Sequence, residues 1–170
     1  MPVVQVKRIQ TKPLTKEHIN TIQNRWWYHE NGMEFWTNNE EPPFFRKEMY
    51  DMRSHLLFLG GSEVCMPVFD PDLDAILTRG ELWYKTPAKQ VKGKPNQCHH
   101  NAANLWFNNQ DKYTICTGYA LSNDGIWRSH SWLIDKSAHR PHIVETTEKR
   151  VAYYGYQMSP QEAKKFYHYG

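Results

Sequence analysis
The order of sequence patterns predicts an α+β fold, with helices first and then one helix feeding an antiparallel sheet. Three observations lead there. Apolar residues recur at helical spacing through much of the first sixty positions, as in Ile19, Ile22 and Trp26 and again in Met49, Met52, Leu56 and Leu59. Strand-like runs gather after residue 112. Between two of those runs stands Asn123-Asp124-Gly125, a hairpin signal, because Asn/Asp-Gly supplies the positive φ angles that tight hairpins require. There is no internal repeat, no low-complexity tract and no sign of a second domain, so residues 1–170 are expected to form one domain. Within it we distinguish an N-terminal helical or mixed part (1–94), a core (95–156) and a C-terminal helix (157–170).

Taken in order, residues 3–9 alternate imperfectly and suggest a first strand. A helix is expected from Thr15, after Pro13, ending before Gly32. The stretch WTNNEEPPFF (36–45) reads as a loop, and 46–59 as a second helix stopped by Gly60-Gly61. A short strand is expected over 64–69, residues 75–84 are ambiguous, and 85–96, with Pro87, Gly93 and Pro95, read as a loop. Residues 97–108 look helical, with Ala102, Leu105 and Trp106 on one face. Strands are expected over 113–121, 126–134, 142–147 and 151–156. Ser159-Pro160-Gln161-Glu162 opens a last helix, with Ser as N-cap and Pro at the first position.

Composition excludes several classes. A formal net charge of +3, with basic residues scattered apart from Lys85, Lys89, Lys92 and Lys94, gives no nucleic-acid signal. Those four lysines read as a solvated loop. No apolar run approaches the ~20 residues of a membrane span. The start, MPVVQVKRIQTKP, lacks the apolar core of a secretory signal. Three cysteines, Cys65, Cys98 and Cys116, cannot all pair within one chain and argue for a reducing compartment. The expected location is cytoplasmic.

Chemistry concentrates around NQCHHNAANLW (96–106). A thiol attacks as thiolate, and a helix N-terminus lowers a thiol's pKa through its dipole and unpaired N–H groups. Cys98 stands where a helix should begin, which suits a nucleophile. It then needs a base, and the base an orienting group. His130 sits in the centre of a strand-like run with Trp132 on the same face and Ser129 and Ser131 on the other. Glu145 holds a similar position in the next strand, so antiparallel pairing of the two runs would set the carboxylate beside the imidazole. Gln97 and Asn96 are candidate oxyanion donors beside the Cys98 backbone N–H. Trp132 and Trp106 are candidate walls of the site, and His99 a candidate substrate contact on an exposed first helical turn.

A helix-heading Cys, a strand with His130-Ser131-Trp132 and a strand with Glu145-Thr146-Thr147 resemble the transglutaminase-like branch of the papain-like cysteine hydrolases. In that branch a His-Ala-Trp type strand supplies the base and an Asp-Pro-Thr type strand the acid. The resemblance spans residues 95–156, with His130 following Cys98 by 32 positions and Glu145 following His130 by 15. Here the acid is Glu and no Pro follows it, so the strand register should differ slightly. The resemblance implies a papain-like core, a nucleophile-bearing helix packed on an antiparallel sheet with extra N-terminal helices. It also implies a Cys98-His130-Glu145 triad working without a cofactor, and a protein or peptide substrate. The expected reaction is hydrolysis or acyl transfer at an amide: peptidase, amidase, deamidase or transglutaminase.

Other readings compete. Cys98 and His130 also suit a buried thiol and a satisfied core histidine, and Glu145 a cross-strand partner of a cation. Cys98, His99, His100 and His130 are zinc-ligand types, but adjacent helix positions point ~100° apart and no second ligand pair supports them. Asp70-Pro71-Asp72-Leu73-Asp74 with Glu81 echoes a calcium loop, but Ala75 stands at the glycine position; an acidic turn before a helix is the better account. No metal site is therefore expected. From a different class comes a non-catalytic binding or inhibitor protein on a hydrolase-like scaffold. Its partner surface would be the aromatics Trp26-Trp27-Tyr28, Phe35-Trp36 and Phe44-Phe45.

Overall fold
A computed structural model describes residues 9, 11–12, 14–35, 46–66, 69–137 and 139–169, the side chains of 27–35 excepted. In chain order the elements are α1 (Lys16–Phe35), α2 (Lys47–Leu59), β1 (Glu63–Cys65), α3 (Leu73–Arg79), β2 (Glu81–Tyr84) and β3 (Ala88–Gln90). There follow α4 (Cys98–Phe107), β4 (Tyr113–Leu121), β5 (Ile126–Asp135), β6 (His142–Glu145), β7 (Ala152–Gln157) and α5 (Pro160–Tyr169). The fold is α+β. The expected strand over 3–9 and loop over 36–45 fall outside the described residues, except that Ile9 makes a single bridge with Gly60. Among the described residues, no helix is long and apolar enough to cross a membrane.

The chain gathers into two compact units. The first comprises residues 1–74 and 121–128. α1 runs past Gly32 to Phe35, contrary to the expected stop; a helical glycine costs only about 1 kcal/mol, too little to end a helix by itself. α2 buries the expected face of Met49, Met52, Leu56 and Leu59 and ends at Gly60. β1 is shorter than expected and pairs in parallel with residues 126–128. Trp26 is buried, giving its indole N–H to the Val64 carbonyl at 2.7 Å, so this member of the aromatic set is core. Arg53 closes a fork on the buried Glu63 carboxylate at 2.8 and 2.9 Å. The hairpin turn lies here as well: Gly125 has φ +89, and Asp124 accepts from the Ile126 N–H and from the Arg128 guanidinium. Asp70 accepts from the Asp72 N–H at 2.8 Å, the acidic turn expected before a helix.

The second unit comprises residues 75–120 and 129–170. Its strands lie in the order β2-β7-β4-β5-β6-β3. β2 pairs with β7 antiparallel and β5 with β6 antiparallel, while β3 pairs with β6 in parallel. The sheet is thus mixed, not antiparallel throughout. The difference traces to 85–96, expected as loop: its residues 88–90 form β3 along β6, and Val91 and Gly93 continue by donating to the Glu145 and Thr146 carbonyls. A three-residue strand between Pro87 and Gly93 carries too short a pattern to show in sequence. Lys85, Lys89, Lys92 and Lys94 are all exposed, as expected.

The sheet curls. Trp83 of β2 packs edge-on against Trp132 of β5, ring centroids 5.8 Å apart, although two strands separate them. Inside the curl lie Cys116, Ala120, Trp132, Ile134, Ile143 and Tyr153, closed over by Trp83 and Ala88. Two glycines permit this. A Cβ on Gly118 would stand 2.1 Å from the Tyr154 carbonyl oxygen, and one on Gly155 would stand 2.3 Å from the Thr117 carbonyl oxygen. The strands approach too closely there for any side chain. Gly118→Ala is expected to destabilise the protein by about 3 kcal/mol or more, read as a lower denaturant midpoint, since backbone must move to admit the methyl group.

α5 begins with a capping box. Ser159 Oγ accepts from the Glu162 N–H at 3.2 Å, and the Glu162 carboxylate accepts from the Ser159 N–H at 3.0 Å. The same carboxylate receives the Arg79 guanidinium at 2.9 and 3.0 Å, which holds it down to about 2.

Candidate active site
α4 starts at Cys98, as expected. Its position is fixed from the preceding segment. Asn101, buried in the second turn, accepts from the Lys94 N–H at 3.0 Å and donates to the Lys94 carbonyl at 2.8 Å. Asn96 then turns the chain at φ +59, and Gln97 caps the helix through its carbonyl, which accepts from the Asn101 N–H. The Gln97 side chain makes no capping bond, and Asn96 and Gln97 are both exposed. The first-turn N–H groups of α4 therefore face the sulfur's surroundings without a side-chain cap.

β5 and β6 are antiparallel neighbours, pairing Leu133 with Val144 and Ile134 with Ile143. Continuing that register sets Glu145 across from Trp132, two positions from His130 and on the same face of the sheet. The carboxylate reaches back along the strand to the ring, and His130 Nε2 lies 2.9 Å from both of its oxygens. Both side chains are buried, at 2% and 0% exposure, which gives the pair its weight, because water screens it little. Glu145 also accepts from the Thr147 hydroxyl at 2.8 Å and the Tyr153 hydroxyl at 3.1 Å. Tyr153 in turn accepts from the Arg150 N–H at 3.1 Å.

With Nε2 committed to Glu145, the other edge of the His130 ring is left for sulfur. Burial pushes the half-buried Cys98 thiol up, but hydrogen bonds and charge from His130 and His99 outweigh it and bring the thiol down to about 5. For His130, burial favours the neutral ring, yet the Cys98 and Glu145 contacts raise it above the ordinary histidine value. Burial opposes ionisation of Glu145 too, and His130, Thr147 and Tyr153 override it and hold the carboxyl below the ordinary range. All three directions favour a thiolate, an imidazolium and a carboxylate in one row. Cys116 is the contrast: wholly buried with no base, its thiol is pushed well up, chiefly by burial and then by Glu81.

The site thus brings Cys98, His130 and Glu145 together. His99 differs from the expectation of an exposed ring: it is half-buried, with Nδ1 2.5 Å from Ser131 Oγ. Ser131 then lies 2.9 Å from Thr117 Oγ1. His100 is exposed. Trp132 lies beside His130, rings 6.1 Å apart and 19° from parallel, but it is fully buried, its indole N–H has no partner, and it packs Tyr153 and Trp83. It supports the His130 ring from within the core, and its full burial leaves it no surface to offer a substrate, contrary to the expectation that it walls the site. Trp106 is buried, and its cavity of about 360 Å³ toward α5 is not lined by Cys98, His130 or Glu145. Sequence reasoning missed Tyr153, Thr117 and Asn101; Thr117 and Tyr153 are ordinary strand residues, and only their register reveals them. Among the described residues, no group of three His, Cys, Asp or Glu is placed to hold a metal ion.

The fold and site define an α+β protein with a row of cysteine, histidine and glutamate at the head of one helix. No family model, curated protein or solved structure matches the chain.

Proposed function
We propose that this chain is a thiol hydrolase or acyl transferase acting on an amide, with a papain-like core of the transglutaminase-like kind. One observation carries the reading: a half-buried thiol at a helix start faces an imidazole whose far nitrogen is clamped by a buried carboxylate. A histidine serving only packing needs no second titratable group on its free edge.

In the proposed reaction the Cys98 thiolate attacks the amide carbonyl carbon, and the helix N-terminus, with the Cys98 N–H foremost, faces the developing oxyanion. The C–N bond breaks, and the amine leaves with the His130 proton. The thioester is then attacked by water or by a second amine, His130 takes the incoming proton, and the thiolate departs. Glu145 keeps the ring oriented throughout and stabilises its charged form. A protein or peptide is the substrate class the resemblance implies, and a cytoplasmic setting suits the three unpaired thiols.

The test is chemical labelling with a trace of iodoacetamide at about pH 6.5, where an ordinary thiol is almost wholly protonated. Alkylation mapped by mass spectrometry is expected on Cys98 ahead of Cys65 and Cys116. Slow, equal modification of all three would remove the basis for the reading.

A further inference from the structure
We infer that Tyr153 and Thr147 are positioning residues for Glu145: their hydroxyls, one on each carboxylate oxygen, keep it an acceptor only, so that it aligns His130 and never takes its proton; this rests on the thiol reading above.

The two hydroxyls divide the carboxylate between them. Thr147 Oγ1 donates to Oε1 at 2.8 Å, with the Thr147 N–H behind it at 3.3 Å, and Tyr153 Oη donates to Oε2 at 3.1 Å. His130 Nε2 stands 2.9 Å from both oxygens. A hydroxyl can donate or accept, and here one residue sets the direction of both. The Arg150 N–H donates to Tyr153 Oη at 3.1 Å, and the Arg150 guanidinium reaches Thr147 Oγ1 at 3.5 Å. Each hydroxyl thus accepts from Arg150 and is left to give its own proton to Glu145. Burial, and then the charge of Glu145, push the Tyr153 phenol well up, so it stays a donor.

A tyrosine needed only for packing would be served by its ring, which lies 5.0 Å from Trp132 and 6.0 Å from His130. Phenylalanine fills the same space; what the hydroxyl adds is its link between Arg150 and Glu145. A carboxyl group that took a proton would present an O–H where a donor already stands, leaving two donors face to face. The protonated acid is thereby disfavoured, Nε2 keeps its hydrogen, and the ring keeps one orientation through both halves of the reaction. The charged or titratable groups around Glu145 are His130 of β5, Tyr153 of β7 and Arg150 of the segment leading to β7. β3 sets Gln90, which carries no charge, across from it, and α4 contributes Cys98 through His130.

The test reads the charge of Glu145 itself. Its side-chain carboxyl is followed across pH by carbon NMR on isotope-labelled protein, the signal being assigned by its loss in Glu145→Gln. Wild type is compared with Tyr153→Phe, Thr147→Val and Thr147→Ser, with circular dichroism on each. Wild type is expected to titrate below the ordinary carboxylate range. Tyr153→Phe and Thr147→Val should each raise the midpoint by about one unit, a ~tenfold change in the protonated fraction. Thr147→Ser keeps the hydroxyl and should restore the wild-type course. A merely structural role would lower the denaturant midpoint without moving this titration. A Glu145 signal that follows the wild-type course in both Thr147→Val and Tyr153→Phe overturns the inference; if Tyr153→Phe does not fold, the two Thr147 variants decide alone. Iodoacetamide labelling of the same samples at about pH 6.5 keeps the two questions apart. No preference for Cys98 in wild type sinks the thiol reading, whereas an unmoved Glu145 signal beside intact Cys98 selectivity sinks only this inference.

Discussion

Cys98→Ala is expected to abolish turnover of peptide and side-chain amides, a loss of about 10³-fold or more in kcat, measured as amine release over a substrate panel. His130→Ala should lose about as much, and the double variant scarcely more than either alone, because residues that act as one unit are not additive. The non-additivity is the informative part. If the two losses multiplied, sulfur and imidazole would be working independently and the row described above would not be a catalytic unit. Glu145→Gln should only weaken turnover, since an amide still takes a hydrogen bond from Nε2 but no longer favours the imidazolium.

Glu145→Ala is the second large effect, and it falls on stability. The carboxylate is fully buried and accepts from His130, Thr147 and Tyr153. Removing one partner of a buried pair leaves the other uncompensated, at a cost of about 3–5 kcal/mol. The pH dependence has a definite sign. Glu145 is held below its ordinary value, so its contribution is present above the unfolded carboxylate pKa and is lost as pH falls through the depressed one. His130 is raised, so its contribution is complete below the unfolded histidine pKa and is lost as pH rises through the elevated one. Between about 4.5 and 6.5 both operate. Denaturant midpoints of wild type and Glu145→Ala should therefore differ most in that window, the gap narrowing in acid as the carboxylate is protonated and narrowing less in alkali, where only the charge on His130 is lost. A constant difference across pH would mean that Glu145 supports the fold by packing and hydrogen bonds alone.

Much of the frame was legible where the chain obeys local rules. Asn123-Asp124-Gly125, the Ser159/Glu162 capping box and the apolar face of α2 each carry their signal within a few residues, and each forms as expected. The row Cys98, His130, Glu145 was legible for a similar reason: a helix start and two polar residues centred in strands stand out from their surroundings. What stayed hidden is non-local. β3 gains its identity only by lying beside β6, and no three-residue pattern announces that. The burial of His99 depends on Phe166, 67 positions later, and on Ser131 across the sheet. The choice of Glu over Asp becomes intelligible only with the register, since an acid facing Trp132 needs the longer side chain to reach His130. The close approach of Gly118 and Gly155 shows in neither residue's neighbours.

The near-parallel stack of Trp132 on His130 carries an optical consequence. An imidazolium is a far better quencher of an excited indole than a neutral imidazole, and this indole is sealed from solvent. A change of charge on His130 is therefore expected to alter the emission of Trp132, one of the seven tryptophans of the chain.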